Sequence, residues 1–107
     1  MKIEINGEEY GLYYSLGAHI AFDNWAVNHP KASYAEGVME KFQLMAAAYN
    51  SKNKIKGHDA PGKAELSEMP NYVFNEIMGA VLECEKEDST RKVEVEPKNA
   101  KRTGKSS

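Results

Sequence analysis

The stretch Ile3-Glu4-Ile5-Asn6-Gly7-Glu8-Glu9-Tyr10-Gly11-Leu12-Tyr13-Tyr14 decides the fold of this chain. Ile3 and Ile5 alternate with Lys2 and Glu4, and Tyr10, Leu12 and Tyr14 alternate with Gly11 and Tyr13. Each run therefore has the period of two that a strand with one covered face requires. Between them, Asn6-Gly7 is the pair best able to take positive φ at both centres of a type I′ turn. The pattern predicts a β-hairpin over residues 2–14 with Ile3, Ile5, Tyr10, Leu12 and Tyr14 on one face. A lone two-stranded hairpin is marginal in water, so that face needs a cover.

Helical segments supply the cover. Ser15 can cap a first helix over about 16–27, with Leu16, Ile20 and Val27 on one side and Phe22 and Trp25 broadening the stripe. It ends before His29-Pro30, because the residue preceding a proline is pushed out of the helical region. Gly17 lowers its propensity, or lets it approach the hairpin closely. Ser33-Tyr34-Ala35-Glu36 is a capping box in which each side chain satisfies an open backbone N–H. It starts a second helix over 34–50, on which Val38, Met39, Phe42, Met45, Ala46 and Tyr49 recur at helical spacing. Residues 51–65 are polar and include Gly57, Pro61 and Gly62, which predicts a long loop that is mobile or a contact surface.

A third helix is expected over about 68–86, opening at Ser67 with Pro70 tolerated in its first turn. Its buried face reads Met69, Tyr72, Val73, Ile77, Ala80, Val81 and Cys84. The acidic run 83–88 opposes the helix dipole and is expected to fray and end the helix in solvent. The expected class is α+β: an N-terminal β-hairpin packed on a small bundle of about three α-helices. One domain spans 1–88, followed by a disordered, basic tail over 89–107.

Length and composition bound the rest. A chain of 107 residues is one small domain with a thin stability margin, which oligomerisation would supplement. Its single cysteine, Cys84, permits no intramolecular disulfide and no metal site built on thiolates alone. The first residues lack the apolar core of a signal peptide, and no stretch approaches the ~20 apolar residues of a membrane span. The cytosol is the default compartment. Residues 1–90 hold 8 Lys/Arg and 14 Asp/Glu, a net −6, whereas residues 91–107 hold 6 Lys/Arg and 2 Glu, a net +4. The basic tail raises nucleic-acid binding as an alternative, but it has no aromatic residue, and a solvated terminus is the simpler reading.

No catalytic constellation stands out. His19 and Asp23 are four apart on a helix and could share a face, but a metal site needs more ligands. His58-Asp59 lies in the predicted loop, where a solvated position is expected. Gly57 and Gly62 flank a loop with Lys63 but lack the Gly-Lys-Ser/Thr of a phosphate cradle. Cys84 falls on an apolar stripe between acidic neighbours, which suits packing better than nucleophilic attack. The expectation is a protein that is not an enzyme and has no cofactor or metal. Methionine and tyrosine point elsewhere, because flexible, polarizable or amphipathic side chains suit surfaces that pack against varied partners. Met39, Phe42, Met45, Tyr49, Met69, Tyr72, Ile77 and Met78 are the predicted partner-binding residues.

The run from Ile3 to Ala18, with its Ile-x-Ile-Asn-Gly-x-Glu-Tyr-x-Leu core, resembles the start of tail assembly chaperones from long-tailed bacteriophages and prophages. The motif covers about 16 residues, and the likeness in organisation covers about residues 1–88. The resemblance implies a chaperone in the bacterial host cytoplasm, absent from the mature virion, that keeps the long helical tape measure protein soluble. It also implies recruitment of the tail tube protein, a frameshifted longer form, and self-association into a homo-oligomer. Trp25-Ala26-Val27-Asn28-His29-Pro30 and the 51–65 segment match no motif of that family.

Overall fold

A computed structural model describes the backbone of residues 1–100 and the side chains of residues 1–89. Strands β1 (Lys2–Ile5) and β2 (Glu8–Gly11) pair antiparallel, with Ile3 opposite Tyr10 and Ile5 opposite Glu8. Asn6 and Gly7 take φ of 51° and 84°, so the turn has the positive φ at both centres that its sequence predicted. Four helices follow: α1 (Leu16–Asn28), α2 (Tyr34–Asn53), α3 (Lys63–Leu66) and α4 (Tyr72–Ala100). The fold is α+β, a hairpin on a helical body.

The helix starts are set locally. The Ser15 hydroxyl accepts from the Ala18 N–H at 3.0 Å. At α2 the Ser33 hydroxyl accepts from the Glu36 N–H while the Glu36 carboxylate accepts from the Ser33 N–H, closing the capping box. Ile5, Tyr10 and Leu12 from the hairpin meet Val38, Phe42, Met45 and Ala46 from α2 and Val73, Ile77, Val81 and Cys84 from α4 in one core. The cover over the hairpin is thus α2 and α4.

Several expectations are corrected. α1 packs on α2 rather than on the hairpin, and it is turned over. Ala18 is buried and Phe22 and Trp25 face inward, whereas Leu16 and Val27 are 74% and 77% exposed and Ile20 is exposed beside them. The inward face offers the flat rings over which Lys41 and Lys63 sit, each 4.5 Å from a ring centroid, a contact the aliphatic face cannot make. Gly17 faces solvent and approaches no strand.

The segment expected as a loop over 51–65 is shorter. α2 runs to Asn53, stopped by Lys54 in the left-handed region, and Lys63–Leu66 forms α3. The remaining strap is tied down. Asn50 Nδ2 donates to the His58 carbonyl at 3.0 Å, Gln43 Nε2 donates to the Pro61 carbonyl at 2.8 Å, and His58 Nε2 lies 2.6 Å from the Glu9 carbonyl. The His58 ring also stacks on Tyr10, so this exposed loop residue clasps the strap to the hairpin.

The third long helix begins at Tyr72 rather than 68, because residues 67–71 turn between α3 and α4. It also continues to Ala100, past the acidic run expected to end it. Glu85 is neutralised there by Lys41 at 2.7 Å, and no glycine or proline occurs between Ala80 and Glu96. The tail expected over 89–107 lies outside the described residues in its side chains from 90 and in its backbone from 101. Among the described residues, no helix is long and apolar enough to cross a membrane.

Candidate functional site

α1 and α4 both pack on α2, and among the described residues their backbones make no close approach to each other, which leaves a cleft above α2. Phe22 of α1 forms one wall, Met78, Val81 and Leu82 of α4 form the other, and Tyr34, Gly37 and Val38 line the α2 side. The Lys41–Glu85 ion pair closes one part of the cleft, with the ammonium also over the Phe22 ring. Gly37 keeps the floor open: a Cβ there would come within 3.8 Å of the Phe22 ring edge, and anything longer would fill the space. The cleft measures about 140 Å³, the scale of inserted side chains rather than of a whole ligand.

Tyr34 and Leu82 stand at the cleft largely exposed, at 67% and 52%. Neither is needed by the core, so both are available to a partner. Aromatic and aliphatic side chains held half out of an apolar groove are what a docking helix buries. A second, wider hollow of about 560 Å³ lies against α2 through Ala35 and Met39. Leu66, Met69, Pro70, Val73, Phe74 and Ile77 complete its apolar lining. The Tyr34 and Phe74 rings, one from each lining, meet edge to face with centroids 6.4 Å apart.

The eight residues singled out from sequence divide by depth. Phe42 and Met45 are fully buried in the core, and no partner reaches them without opening the fold. Ile77 is buried at the base of the wider hollow, which Met39 and Met69 line, while Met78 lines the cleft. Tyr49 is half-buried with its ring against Gly11, and Tyr72 is exposed, its hydroxyl donating to Asn6 Oδ1 at 3.0 Å. The structure therefore brings Met39, Met69, Ile77 and Met78 to these two hollows and leaves the other four elsewhere. Sequence reasoning missed Phe22, Phe74 and Leu82 at this site. It also missed the outward ridge of Leu16, Ile20 and Val27, which makes α1 apolar on opposite faces.

The polar groups outside the cleft form small local arrays. His19 lies between the Tyr14 hydroxyl and Asp23, whose carboxylate is 3.4 Å from Nε2. Burial raises the pKa of Tyr14, and burial likewise pushes the Cys84 thiol up, away from the thiolate that nucleophilic chemistry needs. Among the described residues, no group of three or more His, Cys, Asp or Glu is placed to hold a metal ion. The nucleic-acid alternative rests on residues 91–107, whose side chains lie outside the described residues. No family model, no curated protein and no solved structure matches the chain.

Proposed function

We propose that this protein is a non-catalytic chaperone that holds an apolar helical client in the cleft between α1 and α4. The observation that carries the reading is the exposure of Tyr34 and Leu82 beside an open apolar slot. A helical client would insert side chains at i, i+3 and i+4 between the Phe22 and Leu82 walls, gaining ~25 cal/mol per Å² of apolar area removed from water. The outward ridge of α1 would extend that contact. Many such weak contacts along one long client act together, so no single one has to be tight.

The resemblance of the Ile3–Ala18 run to tail assembly chaperones supplies the identity of the client: a tape measure protein, kept soluble in the bacterial cytoplasm until tail tube subunits are recruited to it. The reading predicts a large, coiled-coil-rich reading frame immediately downstream, and the test is co-expression with its product. The client should move from the pellet to the soluble fraction with the native chain, and should stay in the pellet with a Tyr34→Ala, Leu82→Glu double variant. A client equally insoluble with and without the native chain contradicts the proposal.

A further inference from the structure

Among the described residues, one backbone edge of the hairpin has no hydrogen-bonding partner. Met1 and Leu12 exchange backbone hydrogen bonds, the Leu12 N–H donating to the Met1 carbonyl at 2.7 Å and the Met1 amine to the Leu12 carbonyl at 3.2 Å. Exchanging pairs alternate along an antiparallel ladder, so Ile3 with Tyr10 and Ile5 with Glu8 are the next ones. Lys2 and Glu4 consequently turn their N–H and C=O groups away from β2. On the corresponding outward edge of β2, His58 reaches the Glu9 carbonyl. Among the described residues, no hydrogen bond reaches the outward backbone groups of Lys2 or Glu4.

From this edge we infer that β1 pairs with β1 of a second copy of this chain, antiparallel about a two-fold axis at Ile3, to make a four-stranded sheet. The register follows from three independent features. The outward groups belong to residues 2 and 4, so Lys2 opposite Glu4 of the second copy is an exchanging pair at both ends. Lys2 and Glu4 are exposed on the same face, so each opposed pair joins an ammonium to a carboxylate. Ile3, partly buried against the core, meets its own copy on the other face and would extend the apolar layer across the axis. A slip by one residue would set a charge against Ile3 and lose both ion pairs.

Charged residues on an edge strand usually prevent such pairing; here their order along β1 makes the edge self-complementary instead. The contact is short, so the dimer is weak and appears only at high protein concentration. It lies on the hairpin and involves no residue of the α1–α4 cleft, so it assigns an interface to the self-association that the chaperone resemblance implies and is tested without any client.

The test is sedimentation equilibrium of the full chain up to ~1 mM, with matched charge variants. The native chain should show a monomer–dimer equilibrium. Lys2→Glu sets like charges opposite each other and should raise the dissociation constant roughly tenfold or more. The exchanged Lys2→Glu, Glu4→Lys double variant restores opposite pairs and should recover native association. Circular dichroism on each variant checks that the fold is kept, and in the native chain the Lys2 and Glu4 amides should exchange more slowly as concentration rises. A native chain that is monomeric throughout overturns the inference. So does association that the single reversal leaves unchanged, or that the exchanged pair does not restore.

Discussion

The ring of Tyr49 on α2 occupies the space that a side chain on Gly11 of β2 would need. A Cβ built on Gly11 falls inside the van der Waals surface of three Tyr49 ring carbons, so glycine is required there by close approach, not by its backbone angles. We expect Gly11→Ala to cost about 1–3 kcal/mol in urea unfolding, as overpacked sites do. Most of that cost should vanish in a Tyr49→Ala background, because the clash partner is then gone. A cost unchanged by Tyr49→Ala would place the requirement elsewhere.

Depth separates the residues that the helical periodicity grouped together. Phe42 is fully buried and meets Tyr10 edge to face, with ring centroids 6.0 Å apart. Phe42→Ala should cost about 3–5 kcal/mol, enough to leave so small a domain largely unfolded. Tyr72→Ala, at an exposed site, should cost about 1 kcal/mol or less, the value of its hydrogen bond to Asn6. Thermal unfolding of the two variants side by side checks the ordering.

Substitutions at the cleft should separate stability from binding. Leu82→Glu and Tyr34→Ala change exposed side chains, so each should shift unfolding by no more than about 0.5 kcal/mol. Both should nonetheless weaken capture of an apolar helix. Gly37→Leu tests the same space from the floor, since its side chain would occupy the slot beside Phe22. It should block capture in a pull-down while leaving the helical circular dichroism in place.

Acid should loosen the start of α2. The backbone N–H of Ser33 holds the Glu36 carboxyl below its ordinary pKa, with the Ser33 hydroxyl adding to the effect. A folded-state pKa that is depressed contributes stability above the unfolded value, and that contribution is lost as pH falls through the folded one. The amide resonances of Ser33 and Glu36 should therefore move together between about pH 5 and pH 2. Glu36→Gln keeps an acceptor without a titrating group and should remove that pH dependence.

What could be read from sequence is what neighbours along the chain decide. Asn6-Gly7 fixes a turn through its own φ values, and Ser15, Ser33 and Glu36 satisfy N–H groups three residues away, so the hairpin and both caps were legible. The orientation of α1 was not, because Leu16, Ile20 and Val27 oppose Phe22 and Trp25, and periodicity cannot choose between two apolar faces. Lysines from α2 and α3 made the choice. Periodicity also assigned Phe42, Met45 and Met39 to one stripe without saying that the first two are sealed by the hairpin. The His58 clasp depends on Glu9 and Tyr10, far away in sequence, and polar composition alone made it look like open loop. Tyr34 and Leu82 matter only because α1 stops short of α4, which no local pattern reveals.

The methionine methyl groups sample the molecule at the depths that matter: Met78 in the cleft, Met39 and Met69 in the wider hollow, and Met45 in the core. The most direct measurement is a methyl NMR titration of the full chain with a soluble helical segment of the proposed client, a tape measure protein. Binding in the cleft predicts a saturable shift of Met78, with Met45 nearly unmoved and the Met78 response lost in Leu82→Glu. A titration to saturating segment concentration that leaves Met78 in place, or that moves it equally in Leu82→Glu, would contradict the account.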